Sequence, residues 1–246
     1  MKRLLLASCA IGISATSSFA APATALPFNW TGCYFGVHGG GGWGGRQGFT
    51  DQFSTPGVPF FDPAFPVART SGGLAGGQIG CDYQFSNNMV VGIEGSGSWA
   101  NIQGSSDPFF GGKAVFSAET RWLAAATGRI GYTFNNVLFY AKGGPAWAGN
   151  KYQLNGTFFD ANDRFSFVGS ETRLGYTVGA GIEWAFWKNW SAKFEYAYYD
   201  FGTRSLILVD TAGFTTDPNP SRISQQLHTF IVGVNYHFWT GGTGPR

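Results

Sequence analysis

Between Glu119 and Phe134 the chain changes character at every second residue, and the two resulting faces leave few folds open to it. Glu119, Arg121, Leu123, Ala125, Thr127, Arg129 and Gly131 share one parity. Trp122, Ala124, Ala126, Gly128, Ile130, Tyr132 and Phe134 share the other. A period of two marks a β-strand lying between two unlike environments. The contrast returns with Arg173, Gly175, Thr177, Gly179, Gly181 and Glu183 against Leu174, Tyr176, Val178, Ala180, Ile182 and Trp184. It returns again with Lys193 and Glu195 against Phe194, Tyr196 and Tyr198, while Glu94 and Lys142 fall on the charged parity of their own strands.

Glycine decides which face points inward. The chain holds 38 glycines in 246 residues, roughly twice the usual share of about 7%, and many interleave with the charged set. A soluble barrel would turn that set to water, where small residues serve no packing need. Small residues between single charges suit a narrow lumen in which acids and bases pair, and the aromatic parity then faces lipid. An Arg or Lys turned to lipid near the midplane costs about 2 to 4 kcal/mol. Five bases (Arg121, Arg129, Lys142, Arg173, Lys193) and four acids (Glu94, Glu119, Glu183, Glu195) on the inward parity therefore fix the register.

Eight such segments are expected: 30–42, 72–85, 89–102, 119–134, 137–150, 170–186, 190–201 and 225–238. Ser86-Asn87-Asn88, Asn135-Asn136 and Trp187-Lys188-Asn189 form three short connections, and Asn accepts the positive φ of tight hairpins. The other four are long and rich in Gly, Pro, Ser and Phe. Short turns on one rim and long loops on the other predict an all-β, eight-stranded antiparallel up-and-down transmembrane barrel with periplasmic turns and extracellular loops. Aromatics near the short-turn ends, from Trp30, Tyr34, Tyr83 and Phe85 to Tyr132, Phe134, Trp184, Phe186, Trp190, Tyr236 and Phe238, predict an interfacial girdle. A secreted soluble β-barrel binding an apolar ligand is the rival reading.

The N-terminus Met1-Lys2-Arg3, its apolar run and Ser17-Ser18-Phe19-Ala20 predict a secretory signal over 1–20, with Ala23-Thr24-Ala25 as a second cleavage site. The barrel domain is then 21–246. Losing Lys2 and Arg3 leaves 14 bases against 14 acids. A neutral chain without a basic cluster lacks the electrostatic footprint of nucleic-acid binding. No later apolar run approaches the roughly 20 residues of a spanning helix.

Catalytic, cofactor and metal signatures are absent from the sequence. His38, His228 and His237 are the only histidines, no Cys/His spacing suits a metal, and Gly39 to Gly45 lacks the Lys-Ser/Thr of a phosphate loop. The function read from the residues is structural or interactive, with a narrow solute channel as the alternative; an outer-membrane enzyme ranks lower. Loop phenylalanines (Phe60, Phe61, Phe65, Phe109, Phe110, Phe158, Phe159, Phe165, Phe167) mark either a surface for a host partner or self-association, or a cap over the barrel mouth.

The opening Asn29-Trp30-Thr31-Gly32-Cys33-Tyr34-Phe35-Gly36, the Gly-aromatic strands and the closing Val232-Gly233-Val234-Asn235-Tyr236-His237-Phe238 resemble the porin-family outer-membrane immunogenic barrels of Gram-negative bacteria. The resemblance implies an OmpA-like eight-stranded barrel in the outer membrane, with outer-membrane lipid and the barrel-assembly machinery as partners. Gly233, Tyr236 and Phe238 match the Gly-x-x-aromatic-x-aromatic spacing which that machinery reads. Here residues 239–246 follow the final Phe as a short extension, and Cys33 stands where the family more often has an aromatic. Cys33 and Cys81 fall near the short-turn rim on the outward parity of adjacent strands. Two readings stay open for them, a cross-strand disulfide or two small lipid-facing hydrophobes.

Overall fold

A computed structural model describes residues 28–44, 47–50, 67–106, 114–157, 164–206, 209–210 and 221–240. The expected signal segment and most of the Phe-bearing loops lie outside the described residues. Eight long strands make the barrel: β1 (Gly32–Gly44), β2 (Ser71–Gln84), β3 (Met89–Ser105), β4 (Ala114–Phe134), β5 (Val137–Thr157), β6 (Arg164–Trp187), β7 (Trp190–Leu206) and β8 (Ser221–Thr240). Each pairs antiparallel with its chain neighbour. β1 also pairs with β8, Val37 lying opposite both Gly77 and Val234, so the ring has no open edge. Short strands Gln47–Thr50 and Val67–Ala68 pair with each other beside β8, and Val209–Asp210 pairs with β6.

The turns follow the expected chemistry. Asn88 (φ 66°) and Asn135 (φ 53°) are the non-glycine residues of positive φ among those described, each closing one of the short hairpins. At the other rim the strands run further than the alternation predicts, β6 beginning at Arg164 instead of Ser170. Phe165 and Phe167 are therefore strand residues rather than loop residues, and Phe167 packs against Phe116, Tyr152 and Ile223. At the far end β8 continues through Trp239 and Thr240, paired with Cys33 and Gly32, so the extension begins two residues later than expected.

Along the strands the interior falls into layers. Trp30, Val90, Leu138 and Ala185 close the short-turn end. The charged residues follow. Leu74, Leu123, Ala146, Tyr199 and Leu227 form an apolar middle layer, and Phe116, Tyr152 and Ile223 lie toward the loops. Outside, aromatic and aliphatic side chains are exposed from Phe134, Trp184 and Phe238 at one rim to Trp43, Trp99 and Trp122 at the other. On β4 the outward run Trp122 to Phe134, at about 3.4 Å per residue and tilted about 40°, covers roughly 30 Å, the depth of a bilayer core.

Candidate functional site, the filled lumen

Four carboxylates and three cations meet inside the short-turn half of the barrel. Arg129 of β4 is clamped by Asp82 of β2 through two guanidinium nitrogens and reaches Glu183 of β6 at 3.1 Å. Lys142 of β5 donates to Glu94 of β3 at 2.8 Å and to Glu195 of β7 at 2.7 Å. Lys193 lies 3.2 Å from Glu94 and 3.5 Å from Glu195. Every partner of these ions comes from another strand or from two residues along the same one, so the network ties six of the eight strands together. All seven side chains are buried.

Neutral side chains complete the coordination, as a buried ion requires. Tyr34 donates to Glu94 at 2.9 Å and Tyr140 to Glu195 at 2.8 Å. The guanidinium of Arg129 stands over both rings, 4.9 and 5.0 Å from their centroids. Glu183 accepts from Ser191 at 2.6 Å and Asn235 at 2.7 Å, with His237 Nε2 at 3.5 Å. His38 bridges Gln78 and Ser98, and Gln78 donates to Asn235 at 2.6 Å. A cavity of about 10 Å³ remains among His38, Ser98, Lys142, Glu195 and Tyr199, room for a single water.

Glu94, Arg129, Lys142, Glu183, Lys193 and Glu195 thus come together as their parity predicts. Arg173 also faces inward and is buried, but it sits nearer the loops, held by Glu171 at 2.6 Å, the Ile223 carbonyl at 2.9 Å and the Tyr152 ring. Glu119 and Arg121 do not belong to the lumen. The pairing of β4 shifts register between Thr120 and Trp122, a β-bulge that turns Arg121 and Trp122 outward in succession. Loop-ward of the bulge the parity inverts, so Phe116, Ala118 and Thr120 point in while Glu119 points out. The Arg121 side chain is 66% exposed, with Glu119 at 4.0 Å.

Asp82 escaped the sequence reading although it lies on the inward parity of β2 with Gln78 and Gly80; counting parity on that strand would have found it. Trp30 and Tyr34 were expected in the girdle and are instead fully buried. Trp30 stacks edge-on with Phe28 and His237 beneath the charges, because the chain enters β1 across the barrel mouth with Phe28 N bonded to Asn136 and Trp30 N to Gln84. The girdle itself is made by Tyr83, Phe85, Tyr132, Phe134, Trp184, Phe186, Trp190, Tyr236 and Phe238. Within it Tyr236 meets Trp190 at 5.1 Å and Phe238 meets Phe35 at 5.9 Å; Gly233 faces the lumen, where an added Cβ would crowd the Val37 carbonyl, His38 and Lys193. Cys33 and Cys81 stand opposite each other in the β1–β2 register and are joined by a disulfide on the lipid face.

This geometry defines a closed barrel with a lipid-facing exterior, and comparison with known proteins places it. The family described as "Outer membrane protein beta-barrel domain" matches residues 11–238, nearly the whole chain. The chain belongs to that family. The outer-membrane β-barrel family member described here is 32% identical to the 31 kDa outer-membrane immunogenic protein of Brucella melitensis, over 97% of this chain and 100% of that one. It is 27% identical to the 25 kDa outer-membrane immunogenic protein of the same organism, over 97% and 99% of the two chains. Among solved structures, the outer membrane protease OmpT of Escherichia coli superimposes with a TM-score of 0.51 at 10% identity, covering 87% of this chain and 99% of that one, a likeness of fold alone. The barrel is an outer-membrane protein, and these curated relatives are named as immunogenic proteins, not as enzymes.

Proposed function

We propose that this outer-membrane barrel is a non-conducting, non-catalytic envelope protein that works through its surface, anchoring in lipid and presenting its extracellular loops to other molecules. The filled lumen carries this reading. A transmembrane path would have to break the Arg129, Lys142 and Lys193 ion pairs and displace Trp30 beneath them. Parting a buried pair by removing one partner costs about 3 to 5 kcal/mol. The histidines support the non-catalytic half: His38 and His237 are bonded inside the lumen, and His228 is packed outside against Trp43 and Tyr196.

In this reading Gly233, Tyr236 and Phe238 address the chain to the barrel-assembly machinery, with Phe238 exposed on the lipid face and Tyr236 half-buried there against Trp190. Loop phenylalanines offer contacts to a host molecule or a second copy. The test of closure is electrical. Residues 21–246 refolded into a planar bilayer should show no steady conductance, whereas Trp30→Ala combined with Arg129→Ala should leak. Stepwise openings in the unmodified barrel would overturn the closed reading and favour the narrow channel.

A further inference from the structure

On the outer wall of β3, β4 and β5 a basic pair sits directly over an aromatic belt and a trough of missing side chains. Trp99 and Trp122 are cross-strand partners, Trp99 is 81% exposed, and together they mark the upper interface on this side. The β4 bulge sets Arg121 beside Trp122 on the outer surface. Lys151 of β5 lies on the same side, two residues past Gly149, where an added Cβ would collide with the Trp122 indole. The missing side chain therefore lets the indole lie flat across β5. A groove of about 540 Å³ opens between Trp99, Trp122, Arg121 and Lys151.

Below the belt the wall is bare. A Cβ added at Gly95, Gly97 or Gly128 would meet no atom within 4 Å, and Ile79 and Ile93 flank a second depression of about 540 Å³ over Gly95 and Gly128. Gly97 and Ala124, paired in register, join the two hollows. Glu119 faces Lys151 across the strands, and Glu171, which also lines the groove, is paired with the buried Arg173 at 2.6 Å, so Arg121 and Lys151 together with Glu119 keep one net positive charge. Cations at headgroup height above a smooth trough in the hydrocarbon zone are the inverse shape of one lipid.

We propose that this wall seats a single phosphorylated, multiply acylated lipid of the outer leaflet, its phosphate held by Arg121 and Lys151, its sugar or glycerol against Trp99 and Trp122, and its chains along Gly95, Gly97 and Gly128. The site rests on the outer-membrane placement of the barrel and is independent of whether the lumen conducts, so the bilayer recording and the lipid assay fail separately. Bulge and glycines act together: one supplies the charge at the interface, the other removes the side chains that would keep acyl chains at a distance.

Diphosphoryl lipid A in phosphatidylcholine vesicles is the probe. Refolded residues 21–246 are extracted in mild detergent, and retained lipid is counted by native mass spectrometry. The unmodified barrel should keep one lipid A, and Arg121→Gln with Lys151→Gln should lower retention by about tenfold or more, as expected for a lost charge-assisted contact. Gly95→Leu with Gly128→Leu should do the same with both charges intact, and Arg121→Lys should restore most of it. The heat-dependent gel shift certifies that each variant is folded. Equal retention by the neutralised barrel, equal retention of dephosphorylated lipid A, or displacement by inorganic phosphate would each overturn the proposal.

Discussion

Arg121 and Arg129 are eight residues apart on one strand and live in opposite solvents. Arg129 is enclosed by Asp82, Glu183 and two tyrosine rings, whereas Arg121 stands at the lipid–water boundary beside Glu119. Arg129→Leu strands two carboxylates in a low-dielectric lumen and should lower stability by about 3 to 5 kcal/mol. Arg121→Leu should change it by about 0.5 kcal/mol or less, the scale of a surface site. Urea unfolding followed by tryptophan fluorescence separates the two, and equal losses would place both arginines in one environment. Glu94 extends the same logic, since it accepts from Tyr34, Lys142 and Lys193 together. Glu94→Gln should cost about 3 kcal/mol or more; a loss below about 1 kcal/mol would mean that water reaches the ions and screens them.

At the scale of the strand, the bulge in β4 keeps two incompatible patterns in phase. Ala118 and Thr120 face inward on even numbers, Leu123 and Ala125 on odd ones, and Arg121 is the residue between that absorbs the difference. Deleting Arg121 joins Thr120 to Trp122 and leaves strict alternation on both sides, so the shortened chain should still fold and show the heat-dependent gel shift. Inserting one residue after Gly128 instead would throw Glu119-side and Arg129-side faces out of phase across the charged layer, and that chain should not yield a folded band. The first hairpin carries a second device at this scale. The Cys33–Cys81 bond closes a 48-residue separation and pins β1 to β2 at the rim where β1 must also find β8. Denatured, unreduced protein beginning at residue 21 should therefore titrate no thiol, and reduction should slow its migration on a gel by opening that loop.

For the whole molecule, closure of the ring turns a set of weak local preferences into one structure. Each strand alone is an amphipathic ribbon with unpaired backbone groups, untenable in lipid, and only the β1–β8 seam satisfies the last row of them. At the short-turn end Trp30, Phe28 and His237 stack together beneath the charged layer. A barrel stapled in this way should be inert inside and interactive outside, with electrical silence in a bilayer and lipid retention on one wall as the two readouts of that division.

Strand number, hairpin turns and the choice of lipid-facing side were legible in the sequence because each depends on neighbours two residues away or on the steric tolerance of Asn88 and Asn135. Six of the nine predicted lumen charges were found where alternation put them together, since a buried charge leaves no freedom of register; Arg173 kept its face but joined another layer. The rest was settled by contacts distant in the chain. Alternation cannot show a bulge, which exists only in the mismatch of β4 with its two partners, so Glu119 and Arg121 read as inward until the pairing placed them outside. Parity, counted from the outward Cys33 and Phe35, would have moved Tyr34 from the girdle to the lumen; Trp30 precedes β1 and became a plug because its backbone is tied to Gln84 and that of Phe28 to Asn136. The sequence determined a barrel and its faces through local periodicity. Which acid meets which base, and what closes the end, were decided by the curvature that brings eight strands around one axis.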